Sequence, residues 1–499
     1  MSPAQLNRRE SWIKAGVGFA VLSFVLALFA LNRADADLWG YLSFGRLFWE
    51  SRKFPYQDVF SYTPTLNPWI YHEWLTGVLF YPLYQALGAP GLQALKYGLG
   101  LATMGLVYLT ARERGAHPLS AALFLVVITT VVRHGYYPVR AQVFTFLFFA
   151  LYLFLLERAR LRGHFRALYL LPLIQIPWCN FHGGFLAGLG LIAIYAAGEF
   201  LSRRPFLPYL WIFVLASVAT LINPYGLPYW EYLGRAVTMP RPHITEWSSV
   251  FLAYQSGIAN IWSLIFLLLL VFVTLFGMWQ SRWREVTASL TLAASFTLGV
   301  KHIRHLVFFL MLFGAYLPVC FKLNLDYAQS HPGLKRLWQL ASMKIIVSTF
   351  LAILALFNFS LFALRSPLSL EFPEKPPSHE DLNFFYYPLA ALNFIKQQGL
   401  SGKILTKFEW GEYLIWELYP RCRVAFDGRY ETVYPLEVEE IFFDFYYARP
   451  TWRRFLEDYP PDLILLDRRM RVAQLLQQEP HWRQVYADAY CILFAAGNK

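Results

Sequence analysis

Apolar runs of about 17–22 residues recur in this chain from residue 13 to residue 364, and few folds are open to a sequence built that way. In hydrocarbon every backbone N–H and C=O must be satisfied internally, so runs of this length become membrane-crossing helices. Composition agrees: 57% of the 499 residues are hydrophobic and only 15% are charged. A soluble chain would carry roughly 25% charged residues. The expected fold is a polytopic α-helical membrane protein with about 11–13 transmembrane helices.

The first run, residues 13–31, follows Arg8, Arg9 and Lys14, but is too long for a cleaved leader and lacks a small-x-small site before the next acids. An uncleaved first span is expected. The net charge of +12 would suggest nucleic acid in a soluble chain. Here the Lys and Arg fall in short loops, where they set topology, and no nucleic-acid partner is expected. Arg112/Arg114, the Arg158–Arg166 group, Arg203/Arg204, Arg282/Arg284 and Lys335/Arg336/Lys344 then mark the cytoplasmic face, with the N-terminus. One stretch resists. Between His72 outside and Arg112 inside lie two apolar runs separated by Gly88-Ala-Pro-Gly91, where an odd number of crossings is needed. Either one run lies flat or re-enters, or a charge cluster misleads.

This topology puts the unusual polar residues on one side. They are Asp35 and Asp37, His72 and Glu73, Arg140, Asn180 and His182, the Asn223 loop with Glu246, and Lys301, His302 and Arg304. Acids at the mouth of a membrane span are costly without a partner or a task. Residues 34–72 therefore form a candidate catalytic first outer loop at the membrane surface. The competing reading of Asp35 and Asp37 is simple capping of a short helix beginning at Leu38. The outer aromatics Trp39, Trp49, Trp69 and Tyr71 fit an interfacial belt.

Residues 1–365 make up the membrane domain, 366–377 a proline-rich linker, and 378–499 a soluble α/β domain outside the cytoplasm. Ser378-x-x-Asp381 reads as a capping box. Strands are expected at 403–406, 423–426 and 462–466, a helix at 410–418, and a closing hairpin near 485–494. Arg429, Glu431 and Glu409 fit a solvated surface better than an acceptor contact. Cys422 and Cys491 share this domain and can pair if it is extracytoplasmic, but spacing alone decides nothing.

Asp35-Ala-Asp37-Leu-Trp39, then Pro68-Trp-Ile-Tyr-His72-Glu73-Trp74, Arg140-Ala-Gln142, Asn180-Phe-His182-Gly-Gly184 and Asn223-Pro-Tyr-Gly226 together resemble the GT-C superfamily of integral membrane glycosyltransferases. The chain looks similar to bacterial members related to protein O-mannosyltransferases and the aminoarabinose transferase, with a C-terminal segment Phe408-Glu-Trp-Gly-Glu-Tyr-Leu-Ile-Trp416. The resemblance implies an inverting transferase of the bacterial cytoplasmic membrane. It would move a sugar from a polyprenyl-phosphate carrier to an extracytoplasmic glycan, lipid or protein. It also implies catalytic roles for Asp37, Asp35 and Glu73, with Asp37 favoured as base, although Asp-x-Asp departs from the adjacent Asp-Glu of the mannosyltransferases. His72, Arg140, His182, Lys301, His302 and Arg304 would bind substrate. Arginines at the outer side equally suit lipid headgroups, and His182 equally suits a satisfied core position. A divalent cation, Mg or Mn, on Asp35 and Asp37 stays open. So do two other classes, a transporter or flippase for lipid-linked sugar and a non-catalytic envelope scaffold. The absence of a visible internal repeat favours the enzyme over the transporter.

Overall fold

A computed structural model of the chain describes residues 3–136, 138–280, 285–321, 341–376 and 385–497. The capping box at Ser378–Asp381 and the basic residues Arg282, Arg284, Lys335 and Arg336 lie outside them. The membrane part is a bundle of α1 (Pro3–Phe29), α2 (Leu38–Ser51), α3 (Trp74–Glu113), α4 (Pro118–Tyr136), α5 (Gln142–Arg162), α6 (Leu170–Phe181) and α7 (Leu186–Leu201). It continues with α8 (Leu207–Ala219), α9 (Leu227–Thr238), α10 (Val250–Gln255), α11 (Ile261–Gln280), α12 (Val286–Lys301), α13 (Leu306–Tyr316) and a last long helix, Ala341–Leu364. Among the described residues four helices are long and apolar enough to cross a membrane on their own, and five shorter apolar helices accompany them.

Two sets of polar contacts define the ends of the bundle. At one end Lys96 Nζ donates to the Leu31 carbonyl at 2.7 Å, Gln93 to Ser369 at 2.8 Å, and Asn32 to Arg365 at 3.1 Å. At the other, Glu157 takes Arg114, Arg160 (3.1 Å) and Tyr195 (2.6 Å), while Arg160 also reaches Glu285 at 2.8 Å. Apart from the part-exposed Glu285, this second cluster is buried, and it is mutually paired, as ionised side chains within a membrane bundle must be. It clamps together the same ends of α3, α5, α7, α12 and α13.

These landmarks resolve the stretch that sequence left open. A straight helix of 40 residues would be about 60 Å long, twice the roughly 30 Å hydrocarbon core. Instead α3 is broken at Gly88, whose φ of 61° and ψ of −151° glycine adopts readily, with Pro90 just beyond. Residues 93–97 are still at the first end, so residues 74–87 lie along that end beside α2, and only the second part of α3 runs the length of the bundle to Arg114 at the other. Gly45 and Gly77 let the two flat helices touch, because a Cβ on either would strike the other's backbone. Trp49 Nε1 adds a bond to the Val78 carbonyl at 3.0 Å.

Beyond Leu364 a five-stranded sheet forms from β1 (Gly402–Thr406), β2 (Cys422–Val424), β3 (Leu463–Asp467), β4 (Trp482–Ala487) and β5 (Cys491–Ala496), in the order β2-β1-β3-β5-β4. The first three strands are parallel and β4–β5 is the antiparallel hairpin expected from sequence. Every residue of β3 is buried, as an apolar central strand requires. All four cysteines are free: Cys422 and Cys491 sit on β2 and β5 with two strands between them, so their pairing is excluded by register.

The sheet is fastened to the first loop of the membrane part. Residues 60–62 run beside β2, with Tyr62 N–H donating to Val424 at 3.0 Å and Val424 N–H to Phe60 at 2.9 Å, which closes the β2 edge. Arg429 donates two bonds to Asp427 (2.8 and 2.7 Å), pairs with Asp58, reaches Ser61 at 3.2 Å, and stacks over Phe60 and Trp69. The solvated surface expected for Arg429 is therefore wrong. Glu431 is likewise half-buried, paired with Arg241 at 2.6 Å, and Glu409 accepts from Tyr446 at 3.0 Å. The belt expectation also fails for Trp39, Trp69 and Tyr71, which are buried where loop and sheet meet; Trp49 is exposed.

Candidate active site

Asp37 stands at the N-cap of α2, yet its side chain makes no capping hydrogen bond. The capping reading fails for it. Its carboxylate pairs instead with Arg140, which follows α4 and immediately precedes α5. Asp35 does local work, accepting the Asp37 N–H at 3.1 Å, and also faces Arg140 Nε at 3.3 Å. Glu246, from the turn Thr245–Trp247, reaches Arg140 at 3.5 Å with one oxygen and Arg304 at 3.2 Å with the other. One carboxylate thus bridges two guanidiniums beside Asp37. Arg241 (4.3 Å) and Arg304 (4.8 Å) both lie over the Trp247 ring, and the Trp247 carbonyl meets His302 Nδ1 at 2.6 Å.

A second group surrounds Glu73. His182 Nε2 lies 3.4 Å and His72 Nε2 3.6 Å from the same oxygen, Glu73 Oε1. The His182 tautomer follows from its other side. Nδ1 accepts the Gly184 N–H at 2.9 Å and faces the Thr145 hydroxyl at 2.9 Å, which itself receives Trp178 Nε1 at 2.8 Å. The His182 proton therefore sits on Nε2, toward Glu73. Burial, then Arg304, His72 and Arg140, holds His182 well below the usual histidine range, and burial above all lowers His72 to about 4. Both rings are neutral at pH 7. His72 also stacks on Tyr232 with centroids 5.7 Å apart.

Burial, followed by the nearby Asp37 charge, pushes Glu73 up to about 8, against a hydrogen bond from Tyr41. Its ordinary value is 4.5, so the folded protein holds this proton more tightly than the unfolded chain. The stabilisation is complete below pH 4.5 and lost as pH rises through about 8. Taken alone, Glu73 therefore gives stability a downward slope from about pH 5 to 8, on the order of a few kcal/mol in all, which His72 and His182, both held below the ordinary 6.5, oppose up to that pH. Glu73→Gln should flatten that slope in thermal unfolding in detergent; equal slopes for both proteins would refute the assignment.

Of the residues singled out in the sequence, Asp35, Asp37, Arg140 and Arg304 meet through ion pairs, and His72, Glu73 and His182 form the adjoining cluster. His302 joins only through Trp247. Lys301 does not join: it is exposed at the end of α12 and makes no ion pair among the described residues. Two participants carry little sequence signal. Glu246 is marked in the sequence only by falling in the same set of loops as the other polar residues, and Glu412, in the C-terminal domain, accepts the Gly40 N–H at 2.9 Å directly behind Asp37.

The donor set does not suit a dication at the two aspartates. Both already face one guanidinium, which a metal would have to displace, and among the described residues no group of three His, Cys, Asp or Glu could hold a metal ion.

A bundle whose first loop carries this acid–guanidinium site, with an α/β domain fastened over it, has the fold of the GT-C membrane glycosyltransferases. The likeness that shows it is to the oligosaccharyltransferase of Archaeoglobus fulgidus, solved in complex with zinc and sulfate. The alignment has a TM-score of 0.53 at 11% identity, covering 96% of this chain and 73% of that one. ArnT from Cupriavidus metallidurans aligns bound to undecaprenyl phosphate (TM-score 0.49, 15% identity) and in the apo state (0.49, 14%). Each ArnT alignment covers 98% of this chain and 99% of ArnT. No family model matches the sequence, and no curated protein matches it.

Proposed function

We propose that this protein is an inverting glycosyltransferase that moves a sugar from a polyprenyl-phosphate carrier to an acceptor outside the cytoplasm. One observation carries the reading: the Glu246 carboxylate held between Arg140 and Arg304, beside Asp37. A carboxylate bridging two guanidiniums marks a position that a phosphate satisfies with more charge and more acceptor oxygens. The carrier phosphate would displace Glu246 there, while its isoprenoid chain stays in the bilayer. The oligosaccharyltransferase fold supports the same class of chemistry.

In the proposed step the acceptor hydroxyl or amine attacks the anomeric carbon from the face opposite the phosphate. The new bond forms as the sugar–phosphate bond breaks, and the acceptor proton passes to Asp37. The leaving polyprenyl phosphate keeps the electron pair, its charge met by Arg304 and Arg140. Asp35 would hold Arg140 and the Asp37 backbone in place, and Glu73, pinned by two histidines, would line the acceptor side. Lys301 and His302, set back from the ion pairs, would at most meet lipid headgroups. Loop charges support a cytoplasmic N-terminus and a C-terminal domain outside the bacterial cytoplasmic membrane.

Purified protein offered a panel of polyprenyl-phosphate sugars should release the free carrier phosphate with one of them. Arg304→Ala should then raise KM for that donor roughly 10–100-fold, the loss of one charge-assisted contact. Carrier release unaltered by Arg304→Ala would remove the phosphate from this position. Transport of lipid-linked sugar across vesicles with no donor consumed would make the protein a transporter.

A further inference from the structure

We infer that Glu412 is a positioning residue that caps α2 from the C-terminal domain and so leaves the Asp37 carboxylate free for Arg140 and substrate. The inference rests on the base role proposed for Asp37. An aspartate at an N-cap ordinarily turns back to accept the N–H of the second or third helical residue. Gly40 is the third residue of α2, and its N–H is taken by Glu412 Oε2 at 2.9 Å. Asp37 makes no such bond. Its acceptor has been supplied by another domain, and its own carboxylate points to Arg140 instead.

The surroundings are shaped for this exchange. Glu412 is 4% exposed, in the first turn of the helix Gly411–Leu418. Gly40 has no room for a Cβ, which would collide with the Glu412 carboxylate. A Cβ on Gly428 would stand 2.7 Å from Glu412 Oε1 and 3.6 Å from Asp37 Oδ1, so both acids close in on the same glycine. The charged groups facing Glu412 are Asp37, Asp427 and Arg429, and burial with the first two raises it well above the usual carboxylate range. That direction favours the neutral form, which can accept from Gly40 without repelling Asp37.

Glu412→Ala should lower kcat roughly 10–100-fold, the cost of a misplaced catalytic group, with KM for the donor changed by less than about threefold. Glu412→Gln, which keeps the acceptor oxygen, should recover most of that turnover; Glu412→Asp, one methylene too short, should not. A second readout needs no activity. Thermal unfolding of Asp37→Asn, Arg140→Ala and the double variant gives the Asp37–Arg140 coupling. That coupling should be present beside wild-type Glu412 and vanish in Glu412→Ala as Asp37 turns back to its own helix. If Glu412→Ala does not fold, Glu412→Asp carries the same cycle. An unchanged coupling, or Glu412→Gln as impaired as Glu412→Ala, overturns the inference. A wild-type protein that consumes no donor overturns the proposed function while leaving the coupling measurable.

Discussion

Asp37→Asn should lower sugar transfer by roughly 10²–10⁴-fold, the usual share of a general base. Asparagine keeps the size and hydrogen-bonding capacity of the side chain and removes the proton acceptor. Arg140 retains Asp35 as a partner, so the position proposed for the phosphate is kept and donor binding should change little. The separating measurement is equilibrium binding of polyprenyl phosphate beside steady-state turnover. Lost turnover with retained binding fits the base; loss of both would make Asp37 a holder of Arg140. Undiminished turnover would move the proton to Asp35 or to Glu73.

Arg429→Ala should be the most damaging single change to stability. The side chain satisfies Asp58 from the first loop and Asp427 from the C-terminal domain, both with carboxylates fully buried. Removing one member of such a network leaves the others charged and unpaired, at about 3–5 kcal/mol. Arg429→Lys should recover little, since one ammonium cannot reproduce the bidentate contact with Asp427 and the stacking over Phe60 and Trp69. Thermal unfolding in detergent, with limited proteolysis of the segment joining the two parts, reads both effects. A melting curve like wild type would show that the domains are held elsewhere.

How far the sequence could be read follows from the range of each interaction. The spans and the parallel strands are written in local hydrophobic periodicity. The acids Asp35, Asp37 and Glu73 stand out because charge at a membrane boundary is rare. Arg429 and Glu412 were not legible, because a charged residue in a polar segment looks solvated until its partners arrive. Those partners, Asp58 and Gly40, belong to the first loop, far away in sequence. Residues 74–87 failed to declare themselves for another reason: an apolar helix that lies flat against a protein surface has the same composition as one that crosses. Only the hydrogen bonds of Gln93 and Lys96 tell them apart.

The break at Gly88 also separates chemistry from mechanics. A crossing helix adjusts its tilt when the bilayer thickens or thins. Were α3 continuous, that motion would be delivered directly to His72 and Glu73 at its start. With a hinge at Gly88 and the flat segment bolted to α2 through Gly45 and Gly77, the crossing part can tilt while the acids stay where they are. The arrangement around His72 and Glu73 is thus insulated from the thickness of the surrounding lipid.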